Sequence, residues 1–133
     1  MKRAEKTSTA LHLFVGIGAL AGGSAAIIDP VTPLGTNAAE MLRHSPFNSF
    51  LIPGLLLFIV IGLGNLFAAL AFFKTWVLKP FISGFFASGL VIWIVVQCIM
   101  LRGVVALHVI YFFIGIIQGL LALYLLLRRQ TSY

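Results

Sequence analysis

Few side chains in this sequence could do chemistry. The 133 residues include three histidines (His12, His44 and His108), three carboxylates and one cysteine, Cys98. With no second cysteine, the chain can form neither an internal disulfide nor a two-cysteine redox centre. This excludes membrane thiol–disulfide oxidoreductases and leaves the histidines as the candidates for a redox or enzymatic role.

The histidines are also the residues that could ligate a metal or a cofactor. Glu40 and His44 are four residues apart and would share a helix face, where Asp29 or His108 could join them as metal ligands. No third ligand stands in register, so we expect no metal site. His12 could be a haem or quinone ligand, but its position near the end of an apolar segment favours an interfacial histidine. Because no nucleophile–base pair or phosphate-binding loop is recognisable, we expect no catalytic residue, no cofactor and no enzyme.

The amino-acid composition indicates whether the folded chain is surrounded by water or by lipid. Hydrophobic residues make up 61% of the chain and charged residues 9%, and the mean hydropathy is +1.11. A soluble domain has roughly a quarter of its residues charged. This composition excludes a soluble enzyme, a disordered chain and a disulfide-rich secreted module, and it indicates an integral membrane protein. The net charge of +6 then reflects membrane topology rather than a nucleic-acid partner.

Four apolar segments are each long enough for the ~20 residues that a membrane-spanning helix needs. The predicted spans are Ala10–Ile28, Phe50–Phe73, Phe81–Leu101 and Val104–Leu127. Their continuous apolar runs exclude a β-barrel, which would alternate polar and apolar residues. Short links between the last three spans make them antiparallel neighbours. The prediction is an all-α membrane protein, a single domain over 1–133, folded as an antiparallel four-transmembrane-helix bundle.

The basic residues predict the orientation. One side of the membrane would collect Lys2, Arg3, Lys6, Lys74, Lys79, Arg128 and Arg129, and the other only Arg43 and Arg102. The positive-inside rule then places both termini in the cytoplasm, in a cell inner or plasma membrane. Alternatively, the first span is a cleaved signal peptide, which would leave three helices. The glycines of that segment favour keeping it as a packed helix.

The outer loop Asp29–Ser49 contains turn residues and a capping-box pattern from Asn37 to Glu40. A short amphipathic helix is therefore expected there, ending before Ser45-Pro46. Pro53-Gly54 predicts a break or kink near the outer end of the second span, which could begin at either proline.

Small and amide residues stand out within the spans. Gly18 and Gly22 in the first span and Gly115 and Gly119 in the fourth have GxxxG spacing, typical of close helix packing. They would serve either an oligomer interface or packing inside one bundle.

The polar residues within the spans fall into two pairs of similar depth in the membrane. The depths follow from the helical rise of 1.5 Å per residue. Asn65 and Gln118 lie at similar depths toward the inside, and Gln97 and His108 at similar depths toward the outside. These pairs would either join helices by hydrogen bonds or line a cavity or substrate path. No Asp, Glu, Lys or Arg lies in the middle of a span, which argues against a proton-coupled exporter with a membrane-embedded carboxylate.

A set of turn residues carries a family resemblance. They are Gly22-Gly23, Asp29-Pro30, Leu34-Gly35, Leu42, Ser45-Pro46-Phe47 and Ile52-Pro53-Gly54, with Trp93, Gln97 and the Gly115 region in the second half. In these residues the chain resembles small uncharacterised bacterial four-span membrane proteins whose layout is similar to that of the DoxX-like proteins. The resemblance implies four helices and an ordered outer loop. DoxX is associated with a quinone-linked oxidoreductase complex, but no residue here carries that role over.

Two functions remain open. The first is a non-enzymatic subunit or scaffold of a membrane assembly, with the lipid bilayer and either a second copy or another membrane protein as partners. The second is a small oligomeric transporter or channel, with a path lined by Asn65, Gln97, Gln118 and the glycine faces.

Overall fold

The protein was analysed as a computed structural model, which describes residues 3–32, 42–43, 45–74, 76–101 and 106–131. The regular elements in these ranges are helices. They are α1 (Arg3–Ile28), α2 (Leu51–Phe73), α3 (Lys79–Leu101) and α4 (Ala106–Thr131). Each contains a stretch long and apolar enough to cross a membrane. Within the described residues this confirms an all-helical fold with four helices that could each cross a membrane.

The helix ends differ modestly from the predicted spans. Helix α1 begins at Arg3 rather than at Ala10, and α4 continues to Thr131 rather than ending at Leu127. Charged residues can occupy the terminal turns because a helix does not have to stop where the apolar segment does. The predicted start of the fourth span at Val104 lies outside the described residues.

Helix α2 is not regular along its length. Its first part, Leu51–Leu56, and its last part, Gly64–Phe73, are α-helical, whereas Leu57–Leu63 is π-helical. Pro53 lies in the first turn, where the missing N–H needs no partner within the helix. A break at Pro53-Gly54 is therefore wrong, since the helix continues through both residues, while the kink expected there stays a prediction. The irregularity is the π-helical segment just beyond it, a feature frequent at functional sites.

The helices pack around one apolar core. Helix α1 contacts α2 along all three of its parts and also contacts α4, while α3 contacts both α2 and α4. The core consists of Val15, Ala19, Ile61, Leu90 and Ile94. The outward faces are also apolar; Phe85, for example, is 70% exposed. Lipid satisfies such faces, because hydrocarbon chains solvate apolar side chains without cost.

Glycines set the closest approach between α1 and α2. A Cβ atom on Gly23 would lie 2.7 Å from Phe58 Cβ and 2.9 Å from the Gly54 carbonyl oxygen. At Gly16 the same atom would lie 3.1 Å from the Gly62 carbonyl oxygen. Only glycine allows the two backbones to come this near. Gly16 and Gly23, which the GxxxG pattern did not single out, thus make close backbone contacts with α2.

The four glycines of the two GxxxG patterns also face neighbouring helices of the same chain. Gly18 lies against the Tyr111 hydroxyl of α4, and a Cβ on Gly22 would be 3.4 Å from Leu57 of α2. The closest neighbour for a Cβ on Gly115 is Val91, at 2.7 Å, and for one on Gly119 it is Ala87, at 4.0 Å. Packing within one bundle, one of the two roles predicted for them, accounts for these contacts.

Part of the outer loop is described. Both carboxylate oxygens of Asp29 accept hydrogen bonds from Thr32, and the Phe50 N–H donates to the Pro30 carbonyl at 2.8 Å. Leu42 is buried, with 2% exposure. The amphipathic helix predicted after Asn37 lies outside the described residues except for positions 42 and 43.

Candidate functional site

Four polar side chains, one from each helix, meet in the interior. They are His12 of α1, Asn65 of α2, Ser83 of α3 and Gln118 of α4, each with 0% exposure. We call these four residues the polar cluster. Burial of neutral polar groups in a bilayer requires hydrogen-bond partners, since no water is available to supply them.

The hydrogen bonds of Asn65 and Ser83 fit one neutral tautomer of His12. Asn65 Nδ2 donates to the Ile61 carbonyl at 2.7 Å, which turns Asn65 Oδ1 toward the imidazole. His12 Nδ1 lies 2.7 Å from that oxygen and therefore donates its proton to it. The other ring nitrogen, Nε2, is 2.7 Å from Ser83 Oγ and accepts the hydroxyl proton. The neutral imidazole with its proton on Nδ1 satisfies all three side chains.

Gln118 completes the polar cluster less well. Its Nε2 lies 3.3 Å from Asn65 Oδ1 and 3.2 Å from His12 Nδ1. Since Nδ1 already donates to Asn65, the Gln118 amide donates to Asn65 Oδ1. Its own Oε1 is buried with no hydrogen-bond partner among the described residues. The hydrogen bond expected between Asn65 and Gln118 is present, but it is the weakest link of the network.

His12 is not the interfacial histidine that the sequence suggested. Its ring is completely buried and packs near Phe72, with 6.3 Å between ring centroids. The expectation failed because it counted depth from Ala10, whereas α1 begins at Arg3 and all four helices enclose His12. A signal was present: His12, Asn65 and Gln118 all fall in the inner half of their spans.

The polar cluster contains a nucleophile–base arrangement that no sequence motif revealed. Ser83 Oγ, the His12 ring and Asn65 Oδ1 form a continuous hydrogen-bonded series, as in serine or cysteine hydrolases with a third orienting group. The expectation that no such pair exists is therefore wrong. All three side chains are fully buried, so a substrate cannot reach Ser83 in this conformation. What the arrangement does is join α1, α2 and α3 in a single register.

An ion pair lies beside the polar cluster at the end of the bundle where α1 begins. Lys79 Nζ is 2.9 Å from Glu5 Oε2, and both side chains are largely buried. The same ammonium group lies 6.0 Å from the centroid of the Phe72 ring, whose centroid is 6.3 Å from that of His12. The pair ties the start of α1 to the start of α3.

A cavity of about 240 Å³ occupies the other half of the bundle. Its walls come from all four helices: Val15, Gly18, Ala19, Gly22, Leu57, Ile61, Leu90, Trp93, Ile94, Gln97, Leu107, His108 and Tyr111. Of the four residues predicted to line a cavity, the structure places Gln97 and His108 here. Asn65 and Gln118 belong to the polar cluster instead.

The polar cluster and the cavity are separate sites. Val15, Ile61 and Leu90 line the cavity at its deep end, within about two helical turns of polar-cluster residues on the same helices. Exposure of these three side chains is 2% or less. Within the described residues, no three His, Cys, Asp or Glu side chains lie close enough to hold a metal. The candidate ligands Glu40 and His44 are outside those residues.

Comparison with known proteins found no matching family model, no significantly similar curated protein and no significantly similar solved structure. The function must therefore be inferred from the geometry of the chain itself.

Proposed function

We propose that the chain is a four-span antiparallel membrane protein with both termini in the cytoplasm. The contacts of α1 with α2 support the antiparallel order, since Gly16 packs near Gly62 while Gly23 packs near Gly54. The excess of Lys and Arg at one end supports the orientation. Thiol labelling of single cysteines introduced at Lys6 and Asn48 in a Cys98→Ser background tests it. Only the cysteine introduced at Asn48 should react with a membrane-impermeant reagent added from outside the cell.

We infer that the protein acts without catalysis, as a membrane component that binds a small apolar molecule. The observation that carries this proposal is the cavity of about 240 Å³ lined by residues of all four helices. An engineered apolar cavity of about 150 Å³ in a soluble protein is large enough to bind benzene. This space is therefore adequate for a compact ring system, and its walls are mostly apolar.

The rest of the structure fits a binding component better than a reaction centre. The polar cluster holds the helices in register around a space that they do not fill. The one serine hydrogen-bonded to a histidine among the described residues is buried away from that space. The bundle can thus keep a cavity open without collapsing, because its register is set elsewhere.

Ligand-dependent stability tests this proposal. Purified protein in detergent micelles would be titrated with indane, a two-ring hydrocarbon, while thermal unfolding is followed. Binding to the folded state alone stabilises it by RT ln(1 + [L]/Kd), about 1.4 kcal/mol at ten times Kd. We expect a concentration-dependent rise in Tm.

A matched pair of variants identifies the site. Ala19 lines the cavity and is buried, whereas Ala10 lies on the same helix and is exposed. Ala19→Leu should fill part of the cavity and remove the indane effect, and Ala10→Leu should retain it. The proposal fails if indane does not stabilise the wild-type protein, or if it stabilises Ala19→Leu equally.

The transporter or channel remains an alternative prediction. It would need Asn65 and Gln118 to line a path, yet both are completely buried and hydrogen-bonded inside one chain. Solute flux into proteoliposomes tests it: a path through these amides requires Asn65→Leu to lower the flux.

A further inference from the structure

The cavity has a polar end and an apolar end. Gln97 lies four residues before the end of α3 at Leu101, a depth of about 6 Å at 1.5 Å per residue. Leu90 lies about 17 Å from the same end, and Ile61 about 15 Å from the start of α2 at Leu51. The walls therefore change from an amide near one end of the bundle to mainly apolar side chains, such as Leu90 and Ile61, near its middle. A lipid leaflet has the same gradient, with polar groups at its surface and hydrocarbon below.

The polar end of the cavity offers hydrogen bonds that the protein itself does not use. In the described part of the chain, neither the Gln97 amide nor the Tyr111 hydroxyl has a hydrogen-bond partner. Both residues line the cavity and are only half-buried, so these groups remain accessible. The amide can donate and accept, and the phenol can do the same.

The chemistry of the walls restricts the ligand to neutral molecules. No Asp, Glu, Lys or Arg is among the lining residues that the structure describes. An ion entering this space would lose its hydration without gaining a counter-charge, which costs several kcal/mol or more. A neutral oxygen group needs only one or two hydrogen bonds, which Gln97 and Tyr111 can supply.

A second space lies next to the cavity, on the side formed by α3 and α4. A groove of about 430 Å³ lies between α3 and α4, lined by Ile94, Val95, Cys98, Ile99, His108, Val109, Phe112 and Phe113. Two of these residues, Ile94 and His108, also line the central cavity. The outer wall residues face the lipid; Ile99 is 69% exposed. The side chains of Ile94 and His108 therefore stand between the two spaces, and a molecule passing from the groove to the cavity would displace them.

We propose that the cavity binds a neutral, ring-bearing amphiphile dissolved in the bilayer, which enters between α3 and α4 and presents one oxygen group to Gln97 and Tyr111. This rests on the proposed function and adds the chemical class of the ligand and its route. In the bound state the oxygen group lies toward the end of the bundle, as it would in a leaflet, and the ring lies deeper, among Ile61 and Leu90. The molecule therefore keeps its orientation on entering.

A pair of probes separates recognition of the oxygen from simple burial of the ring. The probes are 1-indanone and 1-methylindane. They share the same ring system, but 1-indanone carries a carbonyl oxygen where 1-methylindane carries a methyl group. Both are titrated into protein in micelles, and Kd is expressed in micellar mole fraction. One net hydrogen bond predicts about 2- to 12-fold tighter binding of 1-indanone. Gln97→Leu should weaken this preference, because Tyr111 alone then remains to bond the oxygen, whereas Gln118→Leu, outside the cavity, should preserve it.

The route is tested by exchange rates. 19F NMR of 6-fluoro-1-indanone measures its exchange between micelle and protein. Val109→Trp, in the groove between α3 and α4, should slow entry and exit by the same factor, about threefold or more, and leave Kd unchanged. Ile59→Trp, a similarly exposed site on α2, serves as the control and should not change the rates.

The outcomes distinguish the two proposals. If neither probe stabilises the protein, the ligand-binding function itself is wrong. If both bind equally to the wild type, the site holds a ring but does not recognise oxygen, and the inferred ligand class is wrong. Equal exchange rates in Val109→Trp and Ile59→Trp would overturn the route between α3 and α4.

Discussion

Replacement of His12 by leucine tests whether the polar cluster holds the bundle together. The imidazole makes the two shortest bonds within the polar cluster, to Asn65 at 2.7 Å and to Ser83 at 2.7 Å. Leucine has a similar volume and suits the apolar surroundings, so the change removes hydrogen bonds without leaving a large cavity.

The magnitude follows from what each partner loses. Interhelical hydrogen bonds in membrane proteins average about 0.6 kcal/mol, with a maximum near 1.7 kcal/mol. Ser83 Oγ would lose its one described partner, and a buried unsatisfied hydroxyl costs about 1–3 kcal/mol. Asn65 Oδ1 would keep only the 3.3 Å bond from Gln118. We expect His12→Leu to lower the free energy of unfolding by about 2–4 kcal/mol.

Gln118→Leu is the matched comparison within the polar cluster. Gln118 contributes one long hydrogen bond and leaves its Oε1 without a partner among the described residues. Its removal therefore deletes a weak bond and an orphaned acceptor together. We expect a change within about 0.5 kcal/mol of zero, or a gain in stability.

Reversible unfolding in mixed micelles, with increasing mole fraction of denaturing detergent, measures both variants. Ile17→Leu, at a position on α1 that is 62% exposed, controls for the substitution itself. A double-mutant cycle with Ser83→Ala isolates the His12–Ser83 term. The reasoning is refuted if His12→Leu lies within 0.5 kcal/mol of wild type, about the scatter of neutral substitutions, or if Gln118→Leu is the more destabilised of the two.

Three further predictions concern packing, the ion pair and the outer loop. Gly23→Ala should destabilise the protein by about 1–3 kcal/mol, because the new Cβ would lie 2.7 Å from Phe58 Cβ. Gly89→Ala, whose Cβ would have no neighbour within 4 Å, is the control and should be neutral or stabilising in the same unfolding assay. Glu5→Gln should cost about 1 kcal/mol or less, and unfolding at two salt concentrations should show the difference shrinking at high salt. The Thr32 N–H and then its hydroxyl donate to Asp29 and lower the pKa of that carboxyl. The stability that this gives is complete above the unfolded-state pKa and is lost as pH falls through the lower folded-state pKa. Thr32→Val should raise the Asp29 pKa in an NMR titration, and an unchanged pKa would contradict the role of the hydroxyl.

Spans, class and packing residues could be predicted from the sequence because lipid imposes a one-dimensional constraint. A helix needs about 20 apolar residues to cross the hydrocarbon layer. The positions of apolar and charged residues therefore predict the second span as Phe50–Phe73, one residue from the observed start at Leu51. The depth of Asn65 and Gln118 along their helices likewise follows from residue counting, and the two side chains do meet. These properties depend on position along the chain and need no knowledge of neighbours.

The central position of His12 in the polar cluster and the existence of the cavity depend on the tertiary structure. Counting gives depth along a helix, but not the direction in which a side chain points around it. His12 is buried because its face of α1 is enclosed by the other helices, whereas Phe14, two residues away, is 54% exposed. The Ser83–His12–Asn65 series joins His12 to residues more than 50 positions away in sequence. The cavity likewise exists because the register set by the glycines and the polar cluster leaves Gln97 and Tyr111 facing unfilled space, a property of four helices together and of none alone.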